Sequence, residues 1–499
     1  MSENGNSERG SDATLEAFKK LSGSAVGLDA EYTLATGERT RRIYLDTTAS
    51  ALRLGVVQDV LTKYQPYYSN THSVLHFGAK LSTREYAWAH DMVLDFVKAD
   101  KEEYTAFFVG SGTTGGINRV ARTLREKRPE RDTVVTSIME HHSNDLPHRK
   151  WFPNVVHVPA EFAKSSIGRV NVERLAEALE EHGERVNYVA VTGVSNVTGI
   201  INPIHEIAEL AHKYGALLVV DAAAMAAHKP IRCTGHDNPA RDIDVVIFSG
   251  HKVYAPGSPG VVVTRKDLFA DIEPQEVGGG MVDDVYLTRY TMLDRFPDRE
   301  EAGTPNICGA IGLAASLYAL DKIGMDRVAD EECKIITYAL ERLSEIENLI
   351  IYGETDSSLC ERAGALSFNI RDIEHGLTAA ILNDYFNISV RNECFCAHPY
   401  VREMITEVLS QEEDQLTDEE LEAMADLHRG MVRASFGIYT TREDADALAT
   451  AVRQIAAKGA EYAVLYDRLP SGDYVHKTFQ FNHAEVFSVR GAVDEWMAQ

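Results

Sequence analysis

A doubly wound, mostly parallel α/β sheet followed by a smaller α+β unit is the fold that this 499-residue sequence predicts. Three observations carry that expectation. Ala216-Leu217-Leu218-Val219-Val220-Asp221 and Asp244-Val245-Val246-Ile247-Phe248-Ser249 are short apolar runs without alternation, as suits strands buried on both faces of a parallel sheet. Ahead of the first run, Ile204, Ile207, Ala208, Leu210 and Ala211 repeat at helical spacing, and Gly215 supplies the stop. Strand, helix and strand in that rhythm predict a parallel sheet, and the texture changes beyond residue 307.

Residues 1–12 are polar and predicted to be disordered, and together with a lead-in they form a segment 1–40. From residue 43 to about 306, apolar runs alternate with amphipathic stretches; strands are predicted at 133–136, 188–194, 216–221, 244–249 and 260–264. This sets the bounds of a large domain at 41–306. A smaller domain, 307–462, begins with a long helical stretch from 311 to about 346. It continues with a strand at 365–370, a helix near 377–385, a strand at 432–438 and a helix that Thr441 opens and that runs to about 458. Residues 403–429 form an acidic, helix-prone insertion, and 463–499 form an aromatic-bearing extension without a motif. There is no internal repeat and no low-complexity tract.

The net charge of −26, from 76 acidic against 50 basic residues, disfavours nucleic acid and anionic membrane as partners. No stretch approaches the roughly 20 apolar residues of a membrane span. The opening Met1-Ser2-Glu3-Asn4-Gly5-Asn6-Ser7 lacks the basic and apolar regions of a secretory signal. Six cysteines in so long a chain are too few for a disulfide scaffold, so a cytoplasmic location is expected.

The chemistry concentrates where the two apolar runs end. In open α/β sheets ligands bind at the carboxyl ends of strands. One run stops on Asp221; the other stops on Ser249-Gly250-His251-Lys252. A lone lysine in a loop is usually just solvated. Here the carboxylate one strand away supplies the second half of a pyridoxal phosphate site: the acid holds a pyridine nitrogen protonated and the lysine carries the aldehyde as an imine. Gly110-Ser111-Gly112-Thr113-Thr114-Gly115-Gly116 follows an apolar run and opens a helical one, which makes an anion cradle of free N–H groups and hydroxyls. The same glycines match a dinucleotide fingerprint, but that motif requires an acid closing the next strand. The next strand instead runs into Met139-Glu140-His141-His142, so one phosphate is the better occupant. Glu140-His141-His142 also has the composition of a metal site, although adjacent side chains diverge and lack helical partners. A flat imidazole stacked on a pyridine ring is the reading that fits its surroundings, and no metal is expected.

With these residues in place, the chain resembles class V aminotransferase-like, fold type I pyridoxal phosphate enzymes over roughly residues 40–458. Within them it is most similar to the cysteine desulfurase and selenocysteine lyase group of the Suf type. The motifs are Tyr44-Leu45-Asp46-Thr47-Thr48-Ala49-Ser50, Thr113 to Asn118, Met139 to His142, Val194-Ser195-Asn196-Val197, Ser249 to Lys252, Glu301-Ala302-Gly303-Thr304-Pro305-Asn306 and Arg391 to Pro399. The resemblance implies that Lys252 is the Schiff-base lysine and proton shuttle, with Asp221 on the pyridine nitrogen and His141 stacked on the ring. It implies that Thr113, Thr114, Ser249 and His251 hold the phosphate, with Thr304 reaching in from the second subunit of a homodimer. Asn196 would lie beside the phenolic oxygen or the substrate carboxylate, which Arg433 would grip.

The same resemblance makes Cys396, in Cys394-Phe395-Cys396-Ala397-His398-Pro399, the thiol that takes sulfur from L-cysteine as a persulfide, leaving alanine and serving an acceptor protein. Against this stands the reading of Cys396 as an incidental cysteine, with a class V lyase, epimerase or transaminase, or a non-catalytic sulfur-carrier scaffold, as the corresponding functions. Three positions depart from the family pattern. Asp221-Ala222-Ala223-Ala224 replaces Asp-x-x-Gln, the segment from His72 to His76 lacks Arg-Gly, and Glu393-Cys394-Phe395 replaces Gly-His-His.

Overall fold

The computed structural model describes residues 14–161, 168–356, 359, 361–410, 417 and 429–499. The predicted disorder at 1–12 and most of the acidic insertion at 403–429 lie outside them; residues 403–410 belong to a helix, His398–Ser410.

Seven strands form the main sheet: β1 Tyr104–Val109, β2 Thr133–Ser137, β3 Asn154–Val158, β4 Val186–Thr192, β5 Leu217–Asp221, β6 Val245–Ser249 and β7 Gly260–Arg265. Their order is β1-β7-β6-β5-β4-β2-β3. All run parallel except β7, which is antiparallel to both neighbours. The link from β6 to β7 is too short for a parallel crossover, so reversal is the outcome open to it. Alternate residues feed different cores. Val189, Val191, Leu218, Val220, Val246 and Phe248 join one; Tyr188, Ala190, Leu217, Val219, Val245 and Ile247 join the other. Burial on both faces is why these strands read as unbroken apolar runs. Helices α1 Gly112–Lys127 and α2 Ile204–Lys213 connect strands of this sheet. The strand β3 escaped sequence reasoning, because its Asn154-Val155-Val156-His157 is only half-buried at the sheet edge.

The helical stretch expected from 311 to about 346 is two helices, α3 Ile307–Ile323 and α4 Met325–Ser344, bent by 82°. Gly324, with φ of 89°, makes the break. The α3 helix packs into the core of the main sheet, whereas Ile336, Leu340 and Leu343 of α4 join a separate core. The change in sequence texture at 307 therefore precedes the change of core. That second core lies against four antiparallel strands, β8 Leu349–Ile351, β9 Ala365–Ile370, β10 Arg391–Glu393 and β11 Met431–Ser435, in the order β8-β9-β11-β10. Helices α5 His375–Phe386 and α6 Arg442–Ala463 cover it. No single helix among the described residues is long and apolar enough to cross a membrane.

Residues 43–54 strap the two units together. Ile43 and Tyr44 pair with Ile388 and Ser389, Asp46 bridges to Ser435, and the N–H groups of Ala51 and Leu54 donate to the carbonyls of His251 and Tyr254. The extension beyond 463 forms a hairpin, Tyr466–Arg468 with Tyr474–His476, and two short helices. The hairpin docks on α5, where the Tyr466 hydroxyl donates to Asp384 at 3.0 Å.

At the start of α6, the Thr441 hydroxyl accepts from the Asp444 N–H while the Asp444 carboxylate accepts from the Thr441 N–H. Thr441→Ala removes half of this capping box, and denaturant unfolding is expected to show a loss of about 1 kcal/mol.

Candidate active site

The carboxyl ends of the parallel strands converge on a cavity of about 590 Å³ between the main sheet and β10–β11. β5 delivers Asp221 to it, β6 delivers Ser249, and the turn after β6 adds His251 and Lys252. Parallel pairing of β5 with β6 sets Asp221 level with Ile247, so acid and lysine emerge at the same edge.

Ser111 and Gly112 both adopt left-handed backbone conformations, φ of 57° and 61°, at the mouth of α1. The curl turns the first N–H groups of the helix toward the cavity. Thr113 donates its N–H to the Ser249 hydroxyl at 2.7 Å, and the two hydroxyls lie 2.8 Å apart. A Cβ at Gly112 would come within 2.6 Å of the Ser249 oxygen, so only glycine allows this approach. The Thr114 hydroxyl faces that of Ser143 at 2.7 Å. Hydroxyls and helix-start amides around a close backbone approach make a fitting cradle for one phosphate.

The electrostatics follow from burial. Lys252 is held below the ordinary lysine range by desolvation, with Arg433 pushing the same way and Asp221, Cys396 and Asp46 opposing. Burial raises Asp221, against the Ala223 N–H that donates to it at 2.9 Å and the attraction of Lys252. A buried carboxylate facing a cavity is suited to a cationic ring nitrogen. His141 is pushed down to about 4 by burial, with Lys252, His142 and Arg433 adding to the shift. Its Nδ1 accepts from the Ser143 N–H at 3.0 Å, so the ring is neutral and its proton sits on Nε2. The His251 Nδ1 lies 3.2 Å from the Ser50 hydroxyl. Glu140 and His142 turn elsewhere. Glu140 is buried with Ser137 and Asn144, and His142 stacks on His398 at 4.9 Å. The Glu140-His141-His142 run therefore sends three side chains in three directions.

Arg433 forms the opposite wall. It is buried and lowered to about 10 by desolvation, offset by Asp46. Its Nη1 donates to the Asn196 carbonyl at 2.8 Å, its Nη2 lies 3.5 Å from Asp46, and its Nε has no partner among the described residues. Arg391 is the direct cross-strand partner of Arg433 and also reaches Asp46, at 2.8 Å. Sequence reasoning quoted Arg391 and Asp46 within motifs but gave them no role; strand pairing brings them together. Phe395, which the sequence marks only as part of a departure from the family pattern, places its ring 4.8 Å from the Arg433 guanidinium.

Cys396 is exposed and lines this cavity; Cys394 does not. Glu393, Phe395 and Cys396 all have left-handed backbones, φ of 90°, 49° and 57°. Such conformations cost of order 1–3 kcal/mol each and persist only where surroundings enforce them. Here Asn196 Nδ2 donates to the Phe395 carbonyl at 2.8 Å, and the His142 N–H donates to the Cys396 carbonyl at 2.7 Å. Cys394 turns its thiol toward the Arg429 carbonyl at 3.3 Å, and burial raises it. Thr304 is exposed outside the cavity, beside Asn70, in a cleft that also contacts Ser111 and Gly112. Ala223 and Ala224 both line the cavity where the related pattern has a glutamine.

The neutral state of His141 is directly measurable. In NMR titration of imidazole-labelled protein its ring is expected to titrate near pH 4 rather than 6.5, so it stays uncharged at neutral pH.

A family model described as aminotransferase class-V matches residues 43–448. A probable cysteine desulfurase of Halalkalibacterium halodurans is 35% identical over 409 residues, 82% of this chain and 91% of that protein. A cysteine desulfurase of Yersinia pseudotuberculosis is 30% identical over 83% of this chain and 93% of its own. Among solved structures, the apo cysteine desulfurase of Thermococcus onnurineus superimposes with a TM-score of 0.70 at 30% identity, covering 83% of this chain and 95% of that one. The cysteine desulfurase CsdA of Escherichia coli gives 0.67 at 27% identity, covering 84% and 95%. The architecture is that of fold type I pyridoxal phosphate enzymes, and this chain belongs to the class V aminotransferase family.

Proposed function

We propose that the protein is a pyridoxal phosphate-dependent cysteine desulfurase, which takes sulfur from L-cysteine, leaves L-alanine and holds the sulfur as a persulfide on Cys396. The observation that carries this reading is the presence of an exposed thiol, Cys396, in the same cavity as Lys252, Asp221 and Arg433. The names of the relatives support it.

The cofactor, when bound, supplies an aldehyde for amines and a ring that accepts electrons. Thr113, Thr114, Ser249 and His251 would hold its phosphate, Asp221 its ring nitrogen and His141 its ring face. The amine of Lys252, whose charged form desolvation disfavours, serves to take and return a proton at the substrate α-carbon. The Nε of Arg433, unpaired among the described residues and with Arg391 beside it, meets the substrate carboxylate, while Asn196 fixes the wall between them. At the sulfur, the Cys396 thiolate forms an S–S bond as the substrate carbon–sulfur bond breaks. The electron pair stays with the carbon side, which takes up a proton and departs as alanine. Exposure of Cys396 leaves the persulfide open to an acceptor protein.

We also propose a homodimer. Segment 67–77 presents Leu75 and Phe77, 90% and 91% exposed, next to the loop of Thr304. Exposed apolar side chains grouped in one segment mark an interaction surface, and the family resemblance has Thr304 reach the phosphate of the second subunit. Sedimentation of the holoenzyme at micromolar concentration is expected to give a dimer; a monomer carrying full activity would refute this assembly.

The thiol assignment is tested by two serine variants. Cys396→Ser is expected to abolish sulfide release from L-cysteine while cofactor binding persists. Cys394→Ser is expected to retain most turnover. Full activity in Cys396→Ser would remove the desulfurase reading and leave a lyase or epimerase.

A further inference from the structure

Outside the cavity, one buried carboxylate touches two of the segments that build it and meets a third through a tyrosine. Glu332 lies on α4, 5% exposed, and does not line the cavity. Its Oε1 accepts from the Tyr254 hydroxyl at 3.2 Å, and its Oε2 lies 2.7 Å from Nδ1 of His228. The Tyr254 hydroxyl in turn accepts from the Ile438 N–H at 2.9 Å. Tyr254 is fully buried, only two residues beyond Lys252, and adopts φ of 57°. His228 is 3% exposed and closes the turn that begins at Asp221. Ile438 follows the strand that carries Arg433. Each of the three contacts thus ends near a different residue of the proposed site.

A left-handed, non-glycine backbone next to the lysine is strained and must be held by its surroundings. The turn around Tyr254 has backbone ties, from Leu54 N–H to the Tyr254 carbonyl and from the Ser316 hydroxyl to the Val253 carbonyl. The Tyr254 side chain is what connects this turn to the second unit. Its ring also meets Tyr439 edge-on at 5.9 Å. A buried, hydrogen-bonded polar pair is commonly neutral for stability relative to apolar residues of the same volume. What a fixed carboxylate with two directed partners adds is register.

We infer that Glu332, through Tyr254 and His228, is a positioning residue that sets Lys252, Asp221 and the Arg433 strand in mutual register. This rests on the proposed desulfurase reading. Glu332→Gln keeps the shape but cannot accept from both partners at once, and Tyr254→Phe removes a single oxygen. Both are compared as holoenzyme with Ile336→Val, a buried change on the same helix in the second core.

Four quantities are measured: the melting temperature, kcat, KM for L-cysteine, and the pH midpoint of the visible band of cofactor bound on Lys252. The first two variants are expected to lose roughly ten- to a hundredfold in kcat, the scale of sub-ångström to ångström misplacement. Their pH midpoints are expected to move, and the double variant to fall little below either single one, because the residues act as one unit. Ile336→Val is expected to melt lower with kcat and midpoint unchanged. If Tyr254→Phe and Glu332→Gln melt lower but keep kcat, KM and midpoint within about twofold, the network is structural and the inference is overturned. A wild-type holoenzyme that releases no sulfide would instead sink the desulfurase reading, while the pH midpoint would still report on Lys252.

Discussion

Desolvation of a few ionisable groups between two sheets is the constraint on which the rest of the site depends. Lys252 carries an amine that burial pushes toward its neutral form, Asp221 a carboxylate that burial raises, and Arg433 a guanidinium lowered to about 10. None of these shifts would survive in open water. They exist because the carboxyl edge of the main sheet is closed by β10 and β11, with residues 43–54 strapped across both units. The same low-dielectric pocket keeps His141 neutral, so a flat, uncharged ring faces the space where a pyridine would lie.

The thiol loop shows a second consequence of the two-unit design. Three consecutive-neighbourhood left-handed residues, Glu393, Phe395 and Cys396, would be untenable in a free loop. Hydrogen bonds from Asn196 and His142, both in segments that follow strands of the main sheet, hold the carbonyls of Phe395 and Cys396. The strain points Cys396 into the cavity and turns Cys394 away. The conformation of this loop is set by contacts between the units rather than by either alone.

Much of this was legible in the sequence because the relevant signals are local. Strands buried on both faces announce themselves as apolar runs, so β4, β5, β6 and β7 were placed within two residues, and Asp221 and Lys252 followed from where two of them end. Thr441 marked the start of α6 because a capping residue acts on its own first turn. What was not legible depends on pairing across distance. The edge strand β3 has too little burial to pattern. The kink at Gly324 turned one expected helix into two, since an apolar stretch of helical periodicity does not reveal an intervening left-handed residue. Arg391 and Phe395 join the wall only through antiparallel register with β11 and a ring stacked on Arg433, and neither shows in spacing. The Glu332 contacts are of the same kind: no motif links positions 228, 254 and 332.

The most direct test is a single stoichiometric assay. The purified protein, reconstituted with pyridoxal phosphate, is mixed with L-cysteine and a thiol reductant, and sulfide and alanine are quantified together. Sulfide and alanine formed in equal amounts over many turnovers, and abolished when borohydride first fixes the cofactor on Lys252, is the predicted result. Pyruvate and ammonia in place of alanine, or no sulfide from a protein that has bound its cofactor, would contradict it.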